Sequence, residues 1–130
     1  NFQIDNITIA GAIDRIDKSG DNDISVIDYK TSKTPTSAKS SLQLAVYSLF
    51  LEQSEEPIIN GIPSSSSLYF LRNEEDPIRK HTFSKDELRS VEKKILEVAD
   101  GIKRKNFAPK KGNHCNWCDY KDLSCPIWED

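Results

Sequence analysis

A mixed α/β fold, with a mixed sheet flanked by helices, follows from three features of this 130-residue sequence. Two apolar runs, 7–16 and 24–29, are rich in β-branched residues. They are separated by a polar stretch with glycine, which predicts a hairpin. Leu42 to Gln53 is apolar over most of its circumference, the pattern of a buried helix. Leu88, Val91, Ile95, Val98 and Ile102 recur at helical spacing behind Ser84-Lys85-Asp86-Glu87, a capping box in which Glu87 reaches back to the cap.

Taken in order, Phe2 to Ile4 begins a strand, and the N-terminal third holds two or three antiparallel strands. Residues 17–23 form the hairpin turn, with Asp17 predicted to make an Asx-turn at its start. Residues 31–41, rich in Ser, Thr and Lys, connect to the first helix over 42–53, on which Gln43 and Tyr47 share a face. Residues 52–67, with prolines and a serine run, read as a loop. Strands follow over 67–71 and 78–83, joined through 72–77. The second helix is expected to end near Lys105, before Asn106-Phe107-Ala108-Pro109. The tail from Lys110 has little periodicity, so its order depends on its cysteines or on packing of Trp117, Tyr120 and Trp128. No internal repeat is present. The length suits one domain, with 1–109 as its core and 110–130 as a cysteine-bearing tail.

Charged residues make up 30% of the chain, no apolar stretch is long enough to span a bilayer, and no secretory leader is visible. The chain lacks methionine altogether, as expected of a fragment of a longer protein. The three cysteines, odd in number and clustered near the C-terminus, argue against a secreted disulfide framework and for a reducing cytoplasm. A net charge of −3 is low for a nucleic-acid binder, but the run Lys103-Arg104-Lys105 with Lys110-Lys111 supplies a local basic patch. The plainer reading of that run is a solvated helix end.

The chemistry concentrates at the predicted hairpin. Asp14 lies in the first apolar run, although aspartate is depleted in strands. Asp28 ends the second run, and Lys30, two residues on, leaves the same face. Two carboxylates brought together repel unless a divalent cation lies between them. A neighbouring ammonium can then orient water and face developing negative charge. This is equipment for metal-assisted phosphodiester hydrolysis. The plain alternatives are an Asp14–Arg15 pair and a surface Asp28–Lys30 salt bridge of little worth.

Four segments in order resemble the PD-(D/E)XK nuclease superfamily, specifically its RecB-like exonuclease branch. Gly11-Ala12-Ile13-Asp14-Arg15-Ile16-Asp17 resembles the G-x-(I/V)-D-R-(I/V)-D strand, and Asp28-Tyr29-Lys30 the D-Y-K triplet. Gln43-Leu44-Ala45-Val46-Tyr47 is similar to the Q-x-x-x-Y helix motif. Cys115, Cys118 and Cys125-Pro126 resemble the three C-terminal cysteines that hold an iron–sulfur cluster in many of these nucleases. The resemblance covers about Ile9 to Pro126.

What the resemblance implies is a restriction-endonuclease-like core, truncated on its N-terminal side. Asp14, Asp28 and the backbone carbonyl of Tyr29 would hold Mg²⁺ or Mn²⁺. Lys30 would be catalytic, and Gln43 and Tyr47 would approach the site, Gln43 orienting a catalytic group or the DNA strand; the DNA contacts expected of Lys103, Arg104 and Lys105 come from the charge run instead. Cys115, Cys118 and Cys125 would hold a 4Fe–4S cluster in the full-length parent. Its fourth cysteine, like the family's upstream histidine, lies in a preceding segment, so this stretch alone is expected to hold no intact cluster. DNA is the implied substrate, a helicase domain or subunit the implied partner, and recombination or repair the implied context. Two rival readings are a non-cleaving nuclease fold that binds DNA or scaffolds a helicase complex, and a zinc-ribbon interaction module built on the C-x-x-C pair.

Overall fold

The structure, a computed structural model, describes residues 1–21, 23–121, 123 and 125–127; Trp128 lies outside the described residues. Two compact units divide the chain, residues 1–97 and 98–130.

In the first unit, β1 (Phe2–Ile4) and β2 (Ile7–Ile9) pair antiparallel as a separate two-stranded sheet. Ile4 stands opposite Ile7, so the turn is only Asp5-Asn6, and Asp5 adopts a φ of 49°, a left-handed conformation that aspartate tolerates. This hairpin corrects the expectation of one long strand over 7–16. The apolar run breaks at Ala10-Gly11-Ala12, where small residues with little strand preference let the chain leave one sheet and enter another.

The main sheet has the order β3 (Arg15–Ser19), β4 (Asp23–Lys30), β5 (Ser65–Phe70) and β6 (Ile78–His81). β3–β4 and β5–β6 are antiparallel, whereas β4–β5 is parallel. The parallel pair needs a crossover, which α1 (Leu42–Gln53) provides over the predicted residues. Ser41 caps α1 through its hydroxyl, which accepts from the Leu44 N–H at 3.3 Å. The β3–β4 turn is shorter than predicted, since Ser19 already pairs with Asp23 and Gly20 takes a φ of +71°. Asp17 therefore lies inside β3, opposite Ser25, and not in an Asx-turn.

Ile24, Val26 and Asp28 alternate with half-buried or exposed neighbours and form the buried face of β4. Against them pack Leu44, Ala45, Leu49 and Leu51 of α1, Leu68 and Phe70 of β5, and Leu88. Each fully buried aliphatic side chain contributes about 1.5–3 kcal/mol. The serine run, expected as loop, enters β5 with Ser66 and Ser67 buried. Ser48 Oγ donates to the Leu44 carbonyl at 2.9 Å and lies 3.1 Å from Ser66 Oγ. Small hydroxyls on both elements admit close packing while satisfying each other, which outweighs serine's weak strand preference.

The capping box forms as predicted at the start of α2 (Lys85–Lys103). The Ser84 N–H donates to Glu87 at 2.9 Å, and the Glu87 N–H to Ser84 Oγ at 3.2 Å. Leu88, Val91, Ile95 and Leu96 carry the helix onto the core.

The second unit begins at Val98. Val98 and Ile102 continue the apolar stripe but stay exposed. The helix closes two residues before the expected Lys105, in a Schellman motif. The Asn106 N–H donates to the Gly101 carbonyl and the Lys105 N–H to the Ile102 carbonyl, with Lys105 at a φ of 55°. A 3₁₀ turn spans Asn113–Trp117. Trp117 and Tyr120 are 79% and 70% exposed, so neither packs the tail as expected. Among the described residues no helix is long and apolar enough to cross a membrane.

Candidate active site

The mixed sheet fixes the site through the end of one ladder. β3 pairs with β4 as far as Arg15↔Ile27, and Asp14 lies just before β3 begins, where the same register carried one residue further would set it opposite Asp28. Asp14 is thus not within a strand, as the sequence suggested; its carboxylate takes over where the backbone partner is missing. Its Oδ2 accepts the Tyr29 N–H at 2.9 Å. The Leu71 N–H donates to the Lys30 carbonyl from the β5 side. By strand alternation the Tyr29 carbonyl then faces the β3 side, beyond the last β3 pair.

Asp28 is only 2% exposed because it continues the stripe of Ile24 and Val26. A carboxylate at such a position needs a cation or hydrogen bonds. Lys30 Nζ stands 2.6 Å from Asp28 Oδ2, yet among the described residues no well-aligned donor bonds that oxygen, which is sealed from solvent. The distance and the missing hydrogen bond are compatible: the ammonium is close but poorly directed, so the contact is mainly Coulombic. A buried carboxylate beside a single ammonium is a candidate ligand for a divalent cation.

Lys30 is held from a second direction. Its Nζ donates to Gln43 Oε1 at 2.6 Å, Gln43 Nε2 donates to the Tyr47 hydroxyl at 2.7 Å, and that hydroxyl donates to the Ala12 carbonyl at 2.7 Å. The four-residue spacing in α1 puts Gln43 and Tyr47 one above the other, as the relay requires. Gln43 is exposed and Tyr47 buried. The chain of bonds ends two residues before Asp14, so α1 fixes both Lys30 and the segment that presents Asp14. The Ala12 carbonyl had no signal in the sequence, because a backbone acceptor leaves no trace in residue type.

Arg15 bonds away from Asp14. Its Nε donates to Asp17 Oδ1 at 2.8 Å and its Nη1 to the Tyr29 hydroxyl at 3.3 Å. Those bonds raise the Arg15 pKa above its ordinary value, and the Arg15 bond holds the Asp17 carboxyl below its own. The Tyr29 ring meets Tyr69 edge to face, with centroids 5.8 Å apart. Arg15 and Tyr29 thus brace the sheet edge beside Asp14, a role legible only from the i, i+2 spacing of Arg15 and Asp17.

Gln43 and Tyr47 also line a cavity of about 670 Å³, together with Phe2, Ile13, Leu42, Val46 and Phe50 among others. It was not foreseen, because β1 and β2 were not read as a separate hairpin.

Lys103, Arg104 and Lys105 belong to the second unit, where Arg104 Nε pairs with Asp100 at 2.9 Å. Cys115, Cys118 and Cys125 are free thiols of the same unit, and the Gly112 N–H donates to Cys115 Sγ at 3.4 Å. Among the described residues no three His, Cys, Asp or Glu side chains gather around a common point.

No curated protein and no solved structure matches the chain. The family model of the PD-(D/E)XK nuclease superfamily, however, matches residues 1–126, a span that includes every element of the hairpin site and both helices. Together with the mixed sheet and its crossover helix, the match places the chain in the PD-(D/E)XK nuclease superfamily.

Proposed function

We propose that the chain is the core of a RecB-like DNA exonuclease that hydrolyses phosphodiester bonds with Mg²⁺ or Mn²⁺. The observation that supports the reading is the buried Asp28 carboxylate, with Lys30 Nζ 2.6 Å from its Oδ2, at the ladder end where Asp14 accepts the Tyr29 N–H. Asp14, Asp28 and the Tyr29 carbonyl would hold the cation. When bound, such an ion supplies Lewis acidity toward the scissile phosphate. Lys30 has three N–H donors: Gln43 takes one, Asp28 stands beside the second, and the third is left for the attacking water or a phosphate oxygen. Gln43 and Tyr47 position that ammonium and do not exchange protons with substrate.

Residues 1–109 form the nuclease core in this reading, and 110–130 its appendage. The C-x-x-C spacing of Cys115 and Cys118, with Cys125, supports cluster binding wherever a fourth thiolate is supplied. A helicase partner and a place in recombination or repair rest on the motif resemblance, and a cytoplasmic location on the odd, clustered cysteines.

The test uses purified chain, end-labelled single- and double-stranded DNA, and Mg²⁺ or Mn²⁺ against EDTA. Asp28→Asn and Lys30→Ala are expected to lower metal-dependent cleavage about a hundredfold or more. Metal is also expected to raise the melting temperature of the wild type and not of Asp28→Asn. Stabilisation by a ligand is about 2.7 kcal/mol at a hundred times its Kd. Undiminished cleavage by both variants, or equal metal shifts, would refute the assignment.

A further inference from the structure

In residues 103–121 aromatic and cationic side chains alternate without any Leu, Ile or Val. Phe107, Trp117 and Tyr120 are 70%, 79% and 70% exposed, whereas no aromatic side chain of residues 1–97 exceeds the 38% of Tyr29. Aromatic rings left in water at this level are not there to stabilise the fold. Charge is distributed just as unevenly. Residues 98–121 carry six Lys and Arg against two Asp, and no carboxylate interrupts the five cations from Lys103 to Lys111. The first unit carries the opposite balance, 12 Lys and Arg against 16 Asp and Glu.

The backbone that presents the rings is set by successive turns. The Cys115 N–H donates to the Gly112 carbonyl at 3.0 Å, Cys118 to Cys115 at 3.4 Å, and Lys121 to Cys118 at 3.1 Å. Trp117 and Tyr120 therefore stand on adjacent turns of a tied segment. Flat rings interleaved with ammonium groups match a flexible polyanion carrying flat heterocycles. We infer that residues 103–121 form a surface for unpaired polynucleotide, with Phe107, Trp117 and Tyr120 stacking bases and Lys103, Lys105 and Lys110 meeting phosphates. A duplex hides its base faces and offers nothing to stack on. Trp and Phe among lysines also anchor at anionic membrane surfaces, so vesicle binding is the competing outcome that the experiment decides. The inference rests on the nuclease reading only for its biological use, namely that the enzyme takes single strands or frayed ends.

The experiment measures fluorescence anisotropy of a labelled oligothymidylate, a duplex of equal length and phosphatidylserine vesicles with the full chain in EDTA. Tighter binding of the single strand by about tenfold is expected, with a loss of about tenfold between roughly 50 and 200 mM salt. Phe107→Ala and Trp117→Ala should each weaken it by at least about fivefold, and Trp117→Phe, which keeps a ring, should restore most of the loss. Equal binding by the alanine variants, preference for duplex, or binding to vesicles alone would overturn the inference. Because metal is withheld, these outcomes are separate from the cleavage assay, and full activity of the Asp28 and Lys30 variants would count against the nuclease reading alone.

Discussion

Leu44, Leu49 and Leu68 are almost wholly removed from solvent, whereas Phe107, Trp117 and Leu123 remain at least 70% exposed. Every buried apolar side chain among the described residues precedes Val98. The first unit is therefore held by nonlocal apolar packing across a sheet and a crossover helix, and the second by short-range hydrogen bonds within turns. The two kinds of order serve different chemistry. A proposed site that must hold an ammonium and two carboxylates in fixed relation needs a rigid support. A surface that grips any base needs only presented rings and charge.

The largest expected effect separates the two units by stability. Leu44→Ala should destabilise the protein by about 2–5 kcal/mol, and Trp117→Ala by no more than about 0.5 kcal/mol, as read by denaturant unfolding. Similar losses for both would mean that the tail is packed after all. Next is Tyr47→Phe, which strands the Ala12 carbonyl and the Gln43 amide for about 1–3 kcal/mol. If the relay positions Lys30, this variant should also lower kcat with little change in DNA affinity, whereas a purely structural tyrosine would change unfolding alone.

The smallest effect concerns the capping box. The Ser84 N–H, aided by His81 at 3.0 Å, holds the Glu87 carboxyl below its ordinary 4.5. A carboxylate with a depressed folded value stabilises fully above the unfolded one and loses that contribution as pH falls through the folded one. Glu87→Gln should therefore flatten the decline of stability below about pH 4.5, and leave the slope near neutrality unchanged. An unchanged acid limb would remove Glu87 from the capping role.

How much of this was legible depended on the reach of each signal. Helix α1 was placed to the residue, because twelve consecutive positions carry its pattern. The capping box and the Gln43–Tyr47 pair were legible for the same reason, being local. The split at Ala10-Gly11-Ala12 was not, because Ile7 to Ile16 alternates like one strand and only the pairing of β1 with β2 shows that it serves two sheets. Ser65 and Ser66 were misread as loop because the partner of Ser66, Ser48, lies in another element. At the site, Asp28 and Lys30 could be coupled by strand period. The bond from Tyr29 to Asp14 depends on where a ladder ends, which residue type does not encode.

Position 28 occupies the last rung of a hydrocarbon ladder that begins with Ile24 and Val26. On the proposed assignment, a valine there would lengthen the dry face and stabilise the fold while removing a metal ligand and with it cleavage. A thermostabilisation screen that ignores turnover should therefore recover that replacement early.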